Sequence, residues 1–251
     1  MVHKILMGHL SPLDVSSFEV QRNLSLILNI FYKTKNFRTF EQGNIGYSFK
    51  ITPNMKIPPI LTSYDLPPML KKRKRHIEDQ PKIRWDIDEL LGVYEPNAKQ
   101  YKSSFSPLFE CPKQAPQILI YERGIKYCAK ETRLSEDILR QIVIIHELSH
   151  WAAHRLQDTK GNIWENDLFD STHKDVHEGW AQLLTFWALD YLKDAKSMEV
   201  FEELNKQQSS SYQKHKDILN RCNNKETILA SLISLRIIKG GASFNDWLSL
   251  L

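Results

Sequence analysis

His146-Glu147-Leu148-Ser149-His150 lies inside the strongly apolar run Gln141–Trp151, and its residue types and spacing suit metal-assisted hydrolysis. On a helix, residues four apart differ by about 40° around the axis, so His146 and His150 project from one face, one turn apart. Two imidazoles so placed bind one Zn²⁺, and Glu147 flanks them closely enough to act as general base on a zinc-bound water. A catalytic zinc takes a third protein ligand and leaves its fourth position to water. Two histidines and a glutamate buried among Ile, Val and Trp cost on the order of several kcal/mol unless paired or metal-bound. A surface helix that matches the pattern by chance is the plainer reading. Ile144, Ile145 and Leu148 oppose it, because they leave little room for an exposed face.

Three residues compete for the third ligand position. His154 is one turn beyond His150, but a metzincin would carry Gly at 153 and His at 156, where this chain has Ala153 and Leu156. His177 and Glu178 follow 27 and 28 residues after His150. Glu178 has the better surroundings, because at about 100° per residue it shares a face with Gln182, Thr185 and Leu189. The small residues Gly179 and Ala181 would let that helix approach the first closely, and Gln182 could support a zinc-bound imidazole. Glu178 is the favoured ligand, with His177 as its competitor. Tyr212, His215 and His173 are the candidates for stabilising an oxyanion.

These side chains need rigid elements. Ser135 is a helix cap candidate, Glu136 and Asp137 complement the dipole, and Leu134 and Leu139 form a possible staple, so a helix runs to about Leu156. The short apolar strand Gln117–Tyr121 precedes it, followed by a Glu122-Arg123-Gly124 turn. A polar loop over Gly161–Lys174 leads to a second apolar helix that starts at Lys174 or Asp175 and reaches Leu189. Upstream, 12–34 has helical spacing and Tyr47–Ile51 alternates like a strand. Five prolines between Pro53 and Pro68, then the basic run Lys71–Arg75, read as a linker. Weaker helical patterns cover Met198–Gln207, Tyr212–Cys222 and Lys225–Ile238, with a short tail at Phe244–Leu251. The expectation is an α+β fold with a small sheet beside the H-E-x-x-H helix and a helical C-terminal part. The expected division is an N-terminal small domain or regulatory segment over 1–80, a catalytic domain over 81–192 and a helical extension over 193–251.

The pairing of His146-Glu147-Leu148-Ser149-His150 with Glu178-Gly179-Trp180-Ala181-Gln182 resembles the gluzincin branch of the zincin-like metallopeptidases. Leu91–Tyr94 and the Ile118–Tyr121 strand are similar to small intracellular members, including ImmA/IrrE-type proteases. The resemblance spans roughly 85–192. It implies a zinc peptidase fold, His146, His150 and Glu178 as ligands, Glu147 as general base, and a protein or peptide substrate. Gln182 departs from the acidic residue that many gluzincins carry there.

Composition limits the alternatives. The 251 residues are 41% hydrophobic with six Trp, enough for a real core, and 34 basic against 30 acidic residues give a net charge of only +4. Three widely spaced cysteines (Cys111, Cys128, Cys222) without C-x-x-C suit reduced thiols in a cytoplasmic protein. The N-terminus lacks a signal-peptide apolar core and no long apolar run suggests a membrane span. Two rival functions remain. One is a DNA-associated SprT-like protease with His177 as third ligand and Lys71–Arg75 facing DNA. The other is a non-enzymatic zinc-binding regulatory protein, against which the intact Glu147 counts.

Overall fold

The computed structural model describes residues 10–12, 18–33, 49–50, 57–64, 91–96, 116–158 and 160–251, with the side chains of 21–31 in the first helix. Their arrangement is mixed α+β, mostly helical, with a small sheet. In chain order the elements are β1 (Leu10–Pro12), α1 (Phe18–Lys33), β2 (Phe49–Lys50), β3 (Ile60–Ser63), β4 (Gly92–Glu95) and β5 (Gln117–Tyr121). Next come α2 (Glu122–Thr132), α3 (Glu136–Arg155), β6 (Gln157–Asp158), α4 (Asn166–Ser171) and α5 (Lys174–Leu192). The chain ends with α6 (Ala195–Gln207), α7 (Ser210–Arg221), α8 (Lys225–Leu235) and α9 (Phe244–Ser249).

The four-stranded sheet has the order β1-β3-β5-β4, and β2 pairs separately with β6. β3 runs parallel to β5, with Ile60 opposite Ile118 and Ser63 opposite Tyr121, while β1 and β4 are antiparallel to their neighbours. All five residues of β5 are buried, as expected of a strand covered on both faces.

Part of the segment read as a linker is core. Ile60–Ser63, between Pro59 and Pro67, forms β3, and the Pro59 carbonyl accepts the Ile118 N–H at 3.0 Å to open the ladder. Proline is tolerated where it only flanks a strand. Four residues are too short to show a period against so many prolines. Lys71–Arg75 lies outside the described residues.

The expected Glu122-Arg123-Gly124 turn is instead the first turn of a helix, Glu122–Thr132. Ile125 and Cys128 are buried on one face at i, i+3, and Glu122 sits at the positive end of the dipole. Asn166–Ser171 within the expected polar loop is likewise the short helix α4, seated by Phe169. α3 spans Glu136–Arg155 as its pattern requires, although Ser135 at its N-cap makes no side-chain capping bond. α3 is the central element. It packs against α1, α2, α5 and α6, and against β4 and β5. Trp151, Trp164, Trp180 and Trp187 are all buried within the core. Cys128 and Cys222 are free thiols. Among the described residues no helix is long and apolar enough to cross a membrane.

Candidate metal centre

α3 and α5 pack side by side and bring the expected ligands together. His146 Nε2 lies 3.2 Å from Glu178 Oε2 and 3.1 Å from His150 Nε2, and His150 Nε2 is 3.5 Å from the same carboxylate oxygen. Four ligands at about 2.0–2.1 Å around a tetrahedral zinc stand roughly 3.3 Å from one another. The three atoms therefore match three corners of such a shell, and the group can hold a metal ion.

The electrostatics agree with that geometry. Burial by itself would raise the Glu178 carboxyl, but hydrogen bonds and charge from His146 and His150 outweigh it and hold the group well below the usual carboxylate range. The site thus presents an anionic oxygen beside two imidazole nitrogens, a donor set suited to zinc.

Glu147 lines a cleft together with His146 of the ligand group. The cleft is lined by Leu91 and Gly92 ahead of and within β4, by Ile142, Val143, His146 and Glu147 of α3, and by Gln182, Leu204, Gln208 and Tyr212. Burial drives the Glu147 carboxyl up to about 8; the His150 charge opposes this, Glu178 adds to it, and the backbone N–H of Tyr94 opposes it. Gly92 is what lets β4 come so close. A Cβ there would stand 2.9 Å from Glu147 Oε1 and 2.7 Å from Val143 Cγ1.

The other sequence candidates are placed elsewhere. His177 donates from Nε2 to the Phe169 carbonyl at 2.8 Å and packs by Trp164 and Phe169, so its ring is committed away from the triangle. Adjacent residues on a helix point about 100° apart, and only Glu178 of this pair can face α3. His154 pairs its Nδ1 with the Tyr94 hydroxyl at 2.8 Å and stacks on Phe169. Burial holds this imidazole down to about 3, with further lowering by the charges of Arg155, Arg236 and His177.

Of the three proposed oxyanion donors, Tyr212 reaches the cleft, where its ring stacks on His146 with centroids 5.5 Å apart. His215 is buried against Phe186 and Phe201 and bonds the Tyr212 carbonyl through Nδ1. His173 is exposed and caps α5 by accepting the Asp175 N–H.

Gln182 does not support an imidazole. Its Nε2 donates to Gln208 Oε1 at 3.3 Å. Gly179 does not face α3 either: a Cβ there would meet Lys214 and Trp247, each at 3.1 Å, so its smallness serves α7 and α9. Sequence reasoning passed over Leu204 and Gln208, which carry no motif. Gly92 stood in the quoted Leu91–Tyr94 segment, but nothing local revealed its contact with Glu147. No protein-family model, curated protein or solved structure matches this chain.

Proposed function

We propose that this chain is a zinc-dependent metallopeptidase of zincin-like, gluzincin type that hydrolyses peptide bonds of a protein or peptide substrate. The observation that carries the reading is the convergence of His146 Nε2, His150 Nε2 and Glu178 Oε2 at 3.1–3.5 Å, with Glu147 on the adjoining cleft wall. A zinc ion held there would lower the pKa of a neighbouring water toward about 7, polarise the scissile carbonyl and keep Glu147 ionised.

Glu147 takes the proton of the attacking water and delivers it to the leaving amine. The backbone N–H of Tyr94 and the close approach of Gly92 hold that carboxylate in place. Tyr212, stacked on His146 at the cleft, is assigned the hydrogen bond to the oxygen on which negative charge develops. A purely structural zinc site has no use for a carboxylate in Glu147's position. The SprT-like alternative loses its third ligand, because His177 is bonded to Phe169.

The reading is tested by Glu147→Gln. The purified variant is expected to retain zinc and lose proteolysis by at least about 10²-fold, the lower range for general-base catalysis. Undiminished proteolysis by the zinc-loaded variant refutes the assignment.

A further inference from the structure

Strand β4 ends the sheet order β1-β3-β5-β4. The Tyr121 N–H donates to the Leu91 carbonyl at 2.9 Å, and Ile118, opposite Tyr94, gives its N–H to Pro59 on the other side of β5. Ladder bonds between β4 and β5 therefore fall on alternate residues from Leu91, and the Tyr94 N–H turns to the free edge. That N–H is the one the Glu147 carboxylate accepts. The Tyr94 side chain leaves the strand on the same face as Gly92 and is buried. Its hydroxyl pairs with His154 Nδ1 at 2.8 Å and also meets the Arg155 side chain. His154 and Arg155 belong to the last turn of α3, the helix that carries Glu147. Phe169 closes this junction, stacked on His154 with centroids 4.1 Å apart and edge-on to Tyr94 at 6.1 Å.

Resting on the peptidase reading, we infer that Tyr94 is the positioning residue of the general base: its side chain, tethered to the end of α3 by His154, sets where its own backbone N–H stands against Glu147. One residue thus grips a single helix at two points, about two turns apart. Apolar contacts between β4 and α3 are non-directional and leave the strand free to slide. A buried hydroxyl–imidazole pair is directional and costly to break, so it fixes the register that packing leaves open. Gly92 keeps the gap narrow, and Tyr94 decides which group stands across it. Loss of the tether lets the N–H drift from the carboxylate, and a misplacement of about 1 Å near reacting groups costs up to about 10²-fold in rate.

The test is Tyr94→Phe in the full chain, which keeps the ring on Phe169 and removes only the tether. The first readout is amide hydrogen exchange in the metal-free protein, followed by NMR. The amide of residue 94 is expected to exchange at least about tenfold faster in the variant, while the ladder amide of Val93 keeps its wild-type rate. The second is turnover by the zinc-loaded chain, where kcat is expected to fall about tenfold or more with KM and zinc affinity unchanged. His154→Leu is expected to do the same, and the double variant to lose no more than either alone. His154→Asn, whose amide falls where Nδ1 stands, is expected to recover most of the loss. Should Tyr94→Phe not fold, His154→Leu carries both measurements. An unchanged amide or an unchanged kcat in a folded variant, or a loss that appears in KM or zinc affinity instead, overturns the inference and leaves the peptidase reading intact. Failure of the zinc-loaded wild-type chain to cut any peptide overturns the peptidase reading and this inference with it.

Discussion

The α carbon of Gly92 faces the Glu147 side chain so closely that a methyl group there would stand 2.9 Å from Oε1 and 3.1 Å from Cγ. Strand β4 and helix α3 thus meet at the residue assigned to proton transfer. Val143 closes the same gap from one turn earlier, with Cγ1 at 2.7 Å from that methyl position. Gly92→Ala must displace either a β-branched side chain or the carboxylate. It is expected to lower peptide hydrolysis at least tenfold and destabilise the fold by about 1–3 kcal/mol, while zinc content stays at the wild-type level. Activity assays, denaturant melts and metal analysis on one preparation separate these effects.

Arg236 is expected to matter far from the cleft. Its guanidinium is buried and donates to the Leu156 carbonyl at 2.7 Å and to the Ala153 carbonyl, at the C-terminal end of the helix that carries both histidines. Those carbonyls lack intrahelical partners and sit at the negative end of the dipole. Burial, the larger influence, brings the guanidinium down to about 9, and Asp158 opposes it. Arg236→Met is expected to leave both oxygens unpaired and cost roughly 2–4 kcal/mol in a urea melt. Arg236→Lys recovers only part, because an ammonium cannot match the two-pronged geometry.

His154 makes stability depend on acid. It is buried neutral, held at about 3 against an ordinary value near 6.5, and accepts or donates at Nδ1 to Tyr94. Below pH ~6.5 the unfolded chain binds this proton and the folded chain does not. Stability therefore falls as pH drops from about 6.5 toward 3, by up to ~1.4 kcal/mol per unit for this one site. His154→Gln is expected to flatten the slope between pH 6 and 4 by about one proton, read as urea-unfolding free energy at each pH. An unchanged slope contradicts the assignment.

The two site helices were the readable part of the sequence, because the apolar pattern of α3 and α5 repeats at the helical period around the residues that need burial. The choice of Glu178 over His177 followed from the same geometry. What escaped was determined by distant partners. β3 is four residues between prolines, made a strand by pairing with Ile118–Tyr121. Arg236 looks like a surface residue until α8 places it beneath Ala153 and Leu156. Gly179 signals close packing correctly but does not say against which helix, and Trp247 occupies the place expected for α3.

The proposed function requires one metal shared by α3 and α5 through His146, His150 and Glu178. Zinc stoichiometry and affinity of the folded chain, measured for wild type, Glu178→Ala and His177→Gln, test it directly. One zinc per wild-type chain is expected, with retention in His177→Gln and a loss of more than about 100-fold in affinity in Glu178→Ala, beyond what an outer supporting residue contributes. Zinc retained in Glu178→Ala, or lost in a folded His177→Gln, contradicts it.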